Sequence, residues 1–388
     1  MIPPDLQTPD STHPAAQGGT TGDVPDYAAF GLDLFRRVAD AEPDGNVVLS
    51  PLSAGLALSL LANGATGDTL AGILQALATG MDLPALNAAN AALSGSLGGG
   101  DVETAIASSL WMRGAPFLPE YVAESRRIYG AEVAPLTSAG PVNDWVSRHT
   151  AGRITEMVSD PIDPMVILVL LNAVYFKGRW EEEFSPDATR DRTFHAPSGP
   201  VERPMMSCTG VYGYLRAGGV SGVRLPYRGG RYAMYVLLPD EGRTLRQVRD
   251  GLSPDAWRGW MEGFGMREVR VVMPRYRMSA AFSLKEPLAA MGMADAFTFG
   301  RATLDGMLSA EYVAREGPYV SKVLQKVFVE VNEEGTEAAA ATMMAPVAGG
   351  IGHSPPSFVA DRPFLVAIRD DQTGALLFVG QVNDPVTE

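Results

Sequence analysis

From residue 27 onward, apolar side chains recur on a helical period: Phe30, Leu34 and Val38 stand four apart, and Phe35 widens the stripe. That spacing predicts an amphipathic helix. A second apolar run follows Ser50-Pro51-Leu52-Ser53 and carries Leu56, Leu58, Leu60 and Leu61. Ser50 suits the cap of that helix and Pro51 its first turn, where a missing N–H is no loss. A third helical stretch, rich in Ala and Asn, covers residues 84–97 and stops at Gly98-Gly99-Gly100. Beyond Asp101 the two periods mix irregularly. Residues 166–176 form a near-continuous apolar run with Val and Tyr, which predicts a strand buried on both faces. Residues 232–238 and 269–273 are further strands, the latter closed by Pro274. In residues 326–332, Val327, Val329 and Val331 fall on one face and Lys326, Phe328 and Glu330 on the other, a period of two. Residues 364–369 and 375–382 flank Asp370-Asp371-Gln372-Thr373-Gly374 and predict a hairpin. Helices gather early and strands late, which predicts an α+β fold rather than alternating βαβ units.

Roughly thirty residues between Asn332 and Pro363 fit neither pattern. The first half is Glu333-Glu334-Gly335-Thr336-Glu337-Ala338-Ala339-Ala340-Ala341-Thr342, and the second is Pro, Gly, Ala and Ser with little to bury. A loop of this length inside a domain is uncommon and usually functional or disordered. Local propensity favours a short helix over residues 336–344, capped by Thr336, because Ala is the best helix former. The competing reading is a segment that later becomes a strand. Small side chains such as Thr336, Ala338 and Ala340 slip between existing strands without displacing a packed core, and Gly335 supplies a flexible hinge.

Composition narrows the function. The formal net charge is -14, and no Lys or Arg occurs between Arg37 and Arg113. A phosphate-binding surface needs clustered cations, so nucleic acid is not expected as a partner. No apolar run is long enough to span a bilayer as a helix, so no membrane partner is expected either. The single cysteine, Cys208, excludes an intramolecular disulfide and is read as a packing residue. Residues 1–26 carry little to bury and predict a disordered tail without the basic start or apolar stretch of a secretory signal. The compartment stays open: inside the cell, or outside it after removal of a leader. Catalysis finds no support. His13, His149, His195 and His353 lie in unrelated contexts, and there is no G-x-S-x-G elbow, zinc spacing, P-loop or framed dinucleotide fingerprint. Neither a cofactor nor a metal is expected.

The segment Asn332 to Thr342 resembles, almost residue for residue, the hinge of the inhibitory serpins. Further stretches agree in kind and order: residues 46–53, the strand-like Leu171-Asn172-Ala173-Val174-Tyr175-Phe176-Lys177-Gly178-Arg179-Trp180, Asn143-Asp144-Trp145-Val146 with Thr150-Ala151-Gly152-Arg153-Ile154, Leu225-Pro226-Tyr227, Leu238-Pro239-Asp240 and Asp361-Arg362-Pro363-Phe364. The resemblance covers roughly residues 27–384. It implies a single domain over residues 27–388: a large central β-sheet, two further sheets, a helical cluster and an exposed reactive-centre loop over about residues 333–360. It implies a monomeric suicide substrate. A target serine protease cleaves the loop and is held as the acyl-enzyme while the freed loop inserts into the central sheet. The hinge would comprise Glu333, Glu334, Gly335, Thr336, Glu337, Ala338, Ala339, Ala340, Ala341 and Thr342.

Counting from Glu333 as the family does places the reactive bond between Gly349 and Gly350, with Ala348, Ile351 and Gly352 as neighbouring alternatives. These residues carry no basic or aromatic side chain, which implies a target that accepts small residues, of the elastase or subtilisin kind. Opening of the sheet would be controlled by Ser50, Ser53, Asn172, Trp180 and Gln325. Many members carry a His at the position of Gln325, so the network here should lose its pH sensitivity. Pro346, without a ladder N–H, would make the late part of the inserted strand imperfect. Residues 84–97, matching the helix through which heparin activates some members, contain no Lys or Arg, so heparin is not expected. Two further readings are a non-inhibitory serpin acting as carrier, chaperone or storage protein, and a cross-class inhibitor of papain-like cysteine proteases.

Overall fold

The side chain of Ser50 accepts a hydrogen bond from the Ser53 amide at 3.3 Å, and Pro51 occupies the first turn, so the helix Pro51–Ala62 begins where the sequence predicts. Every residue of that helix is buried. A helix apolar all round belongs in a core. It packs against the helix Ala28–Ala41 and the strands Leu168–Arg179 and Leu376–Val382. The computed structural model describes residues 24–97, 102–336 and 355–386. The proposed reactive bond (Gly349 and Gly350, with Ala348, Ile351 and Gly352), Pro346 and the hinge residues Glu337 to Thr342 lie outside the described residues, as does the tail up to residue 23.

Two sheets organise the described residues. The first has six strands in the order Tyr276–Ser283, Val320–Val331, Gly335–Thr336, Leu168–Arg179, Val102–Met112 and Glu132–Pro135. The second is a continuous nine-stranded sheet. Its 19-residue strand Gly199–Ala217 pairs with Arg190–Ala196 near one end, Val220–Pro226 near the other and Gly265–Pro274 between. That one strand joins the two further sheets implied by the resemblance into a single hydrogen-bonded surface.

Leu168–Arg179 is buried on both faces, as its apolar run predicts. Leu168, Leu170, Val174 and Phe176 face the main core with the helical cluster, while Val169, Leu171, Ala173 and Tyr175 enter a separate cluster beneath the helix Ala139–His149. Val320–Val331 divides the same way, with Val327, Val329 and Val331 in the main core and Phe328 in the satellite. The C-terminal hairpin forms from Phe364–Asp370 and Leu376–Val382. One expectation from local propensity is overturned: Thr336 does not cap a helix. It is a strand residue paired with Val331 on one side and Gly178 on the other. Tertiary pairing on both sides decides the conformation of Thr336 against its local role as a cap; the alanines after it lie outside the described residues.

Candidate functional site: a seam in the central sheet

The six-stranded sheet is antiparallel between most neighbours, but its two central strands are parallel. Leu168 to Tyr175 pair with Val320 to Phe328 in one direction, and Gln325 stands opposite Asn172. Parallel ladders are slightly less stable per residue than antiparallel ones. Above Tyr175 and Phe328 the strands part, and Gly335–Thr336 enters the gap antiparallel to both. A chain that turns back from the top of one parallel strand necessarily runs antiparallel to that strand and to its partner. This geometry leaves a seam with a strand already started in its upper end.

Below the gap, four of the five residues assigned to sheet opening converge on one cluster. Gln325, fully buried, accepts from the Ser50 amide through Oε1 at 2.8 Å. Its Nε2 donates to the Ser50 carbonyl at 3.0 Å and to Asn172 Oδ1 at 2.7 Å. Asn172 Nδ2 donates in turn to the Ser53 carbonyl at 3.1 Å and to Ser108 Oγ at 3.2 Å. One amide thus ties the strand Val320–Val331 to its neighbour across the seam and to the first turn of the buried helix. Ser53 takes part through its backbone alone; its buried Oγ has no hydrogen-bond partner among the described residues.

The fifth, Trp180, sits apart at the upper end, as its place after the strand predicts. Its indole Nε1 donates to the Asn332 carbonyl at 3.0 Å, and its amide to the Glu334 carbonyl at 3.0 Å. The ring stacks on Tyr227 at a centroid separation of 4.7 Å. Tyr227 shares a 2.7 Å hydrogen bond with Thr336 Oγ1, and burial holds its phenol well above the ordinary range, as a neutral hydroxyl. Asn332 Oδ1 accepts from the amides of Glu334 and Gly335, both at 3.1 Å, which shapes the reversal. The Glu333 carboxylate accepts from Thr189 Oγ1 at 2.7 Å and lies 3.7 Å from the Arg275 guanidinium.

Gly335 is fixed by more than flexibility. Its φ is +156°, and a Cβ there would stand 2.1 Å from the Gly178 carbonyl oxygen and 2.7 Å from Arg179 Cα. Only glycine lets the backbone approach so closely. Tyr227, Asn332, Thr189, Arg275 and Gly178 therefore belong to the site, although no role in it was read from the sequence. Tyr227, Asn332 and Gly178 lie in stretches that carry the resemblance; Thr189 and Arg275 lie outside them.

The chain matches the family model "Serpin (serine protease inhibitor)" over residues 26–385. It is 34% identical over 377 residues to the leukocyte elastase inhibitor of Bos taurus, covering 92% of this chain and 97% of the bovine protein. It is 32% identical over 375 residues to the antithrombin-III of Homo sapiens, covering 92% of this chain and 80% of the human protein. The native-state crystal structure of tengpin, a thermophilic serpin, superposes with a TM-score of 0.86 at 27% identity, covering 93% of each chain. Native protease nexin-1, crystallised with heparin, gives a TM-score of 0.81 at 29% identity over 92% of this chain and 98% of that one. The matched family model and the inhibitor relatives place the chain in a class of protease inhibitors. The chain belongs to the serpin family.

Proposed function

We propose that this protein inhibits serine-type endopeptidases as a suicide substrate, with residues 27–388 as its working body and the loop over about residues 333–360 as bait. The observation that carries the reading is the start of a strand, Gly335–Thr336, between two parallel strands that leave the same gap open above Tyr175 and Phe328. Attack on the loop by a catalytic serine gives an acyl-enzyme. The freed hinge, Glu333 to Thr342, then continues downward between Leu168–Arg179 and Val320–Val331, replacing one parallel ladder by two antiparallel ones. A dozen new ladder bonds at ~0.5–1.5 kcal/mol each supply on the order of 10 kcal/mol. The Gln325–Asn172 bond, which crosses the seam, must break for the strand to pass, so Ser50, Asn172 and Gln325 set the resistance and Trp180 marks the entrance.

A bond at Gly349–Gly350, or at Ala348, Ile351 or Gly352, offers small side chains, and likeness to leukocyte elastase inhibitors agrees with a target that accepts them. Mixing the protein with elastase, subtilisin and trypsin tests both parts. The reading expects an SDS-resistant complex with elastase or subtilisin, and mass spectrometry of the released peptide should place the cut within residues 347–352. A covalent complex with trypsin alone overturns the target class; turnover of the loop by every protease without a complex overturns inhibition.

A further inference from the structure

Beneath the helix Ala139–His149 and the segment that follows it lies a cavity of about 370 Å³, within the range of small-molecule sites. Its floor is the seam itself. Val169 and Leu171 come from one central strand and Lys322 and Leu324 from the other, and the ladder pairs Val169 with Lys322 and Leu171 with Leu324. Val142 and Ile162 are among the apolar side chains that close it from above. Three polar residues, Ser159, Asp163 and Lys322, stand exposed at its edge. Two of them are engaged: Ser159 Oγ donates to Glu156 at 2.7 Å, and Asp163 Oδ1 accepts from the Met165 amide at 2.9 Å. Lys322, one of only four lysines in an acidic chain, has no hydrogen bond or ion pair among the described residues. Lys326, four residues on, spends its ammonium on the Glu156 carbonyl.

We propose that this cavity binds a medium-chain carboxylate, with the alkyl chain in the apolar space and the carboxylate on the Lys322 ammonium, and that the bound ligand locks the seam. An apolar enclosure favours the chain, and a cation with no hydrogen bond or ion pair among the described residues favours an anionic head, although the Asp163 carboxylate stands at the same edge. The lock follows from the floor. Side chains from both central strands contact the same ligand, and a strand inserted between them would move those walls from one strand spacing, ~4.8 Å, to two. A ligand that fits only the closed seam stabilises it by mass action. This regulatory consequence rests on the loop-insertion reading; the binding itself does not.

Isothermal titration of decanoate into the full-length protein, with decanol and decyltrimethylammonium as comparisons, tests the site. Saturable binding of decanoate at one per chain is expected, with decanol about tenfold weaker and the cationic amphiphile weaker still. Lys322→Gln, a change at an exposed position, should lower decanoate affinity about tenfold and leave decanol unchanged. Hydrogen exchange of the amides at residues 168–171 and 322–325 should slow when decanoate is bound. The loop-nicked protein should not bind. Equal affinities for decanoate and decanol in both proteins would overturn the Lys322 assignment, no saturable binding would overturn the site, and unchanged exchange would overturn the lock. Decanoate binding in a chain that traps no protease counts against the trap and leaves the site standing.

Discussion

At the scale of single residues, the seam depends on one uncharged side chain. Gln325 satisfies both backbone groups of Ser50 and the Asn172 carbonyl with two atoms. Removing it strands buried donors and acceptors, each costing about 1–3 kcal/mol, and leaves a void. Gln325→Ala should lower the melting temperature of the intact protein by about 5 °C. A melt unchanged within a degree would show that the clasp carries no stability. A second residue tests the reading of Cys208 as a packing side chain. It is only half-buried, yet burial pushes its thiol up to about 11; the Tyr212 hydroxyl at 3.3 Å works against this and the Glu182 carboxylate adds to it. Since the thiolate is the reactive form, Ellman's reagent at pH 8 should react about a hundredfold slower with the native protein than with the denatured one. Comparable rates would contradict that environment.

At the scale of elements, the central question is how firmly the hinge is held in the top of the sheet. Tyr227 contributes a ring against Trp180 and a hydroxyl to Thr336. Tyr227→Phe keeps the stack and deletes the bond, a loss of about 1 kcal/mol. The variant should free the hinge and accelerate complex formation with a small-residue protease severalfold. A rate equal to that of the parent protein would mean that the Thr336 contact does not restrain the loop. Elements were legible in the sequence where one period ran without interruption, as in Ala28–Ala41, Leu168–Arg179 and Val320–Val331. Gly199–Ala217 escaped notice because Pro200, Pro204, Gly210 and Gly213 break its alternation, and only pairing on both edges makes it one strand. Val102–Met112 was equally hidden, its middle being mostly small residues, Ala105, Ala107, Ser108 and Ser109 around Ile106, whose fit depends on the neighbouring strand. The clasp joins Gln325 to Asn172, 153 residues away, and no local pattern encodes such a contact. It was reachable only through the resemblance, which named residues that meet there but not the bond directions or the unpartnered Ser53 hydroxyl. The cage around Glu333, built from Thr189 and Arg275, left no sequence signal at all.

At the scale of the whole molecule, the sheet holds one parallel pair of long strands at its centre and a two-residue strand, Gly335–Thr336, lodged between their upper ends. The apolar core surrounds that pair on both faces, so opening it exposes the main cluster and the satellite together. This explains why the seam is pinned by a buried polar clasp and covered by a separate helix rather than left as an ordinary sheet. It also sets a direction for the energy under the proposed insertion: the closed form keeps one parallel ladder where two antiparallel ones would take its place. The decisive measurement is the thermal unfolding of the intact protein and of the same protein nicked once in the loop over residues 347–352. An insertion gain on the order of 10 kcal/mol predicts that the nicked form melts about 10–15 °C higher. A nicked form that melts at or below the intact temperature would contradict the account.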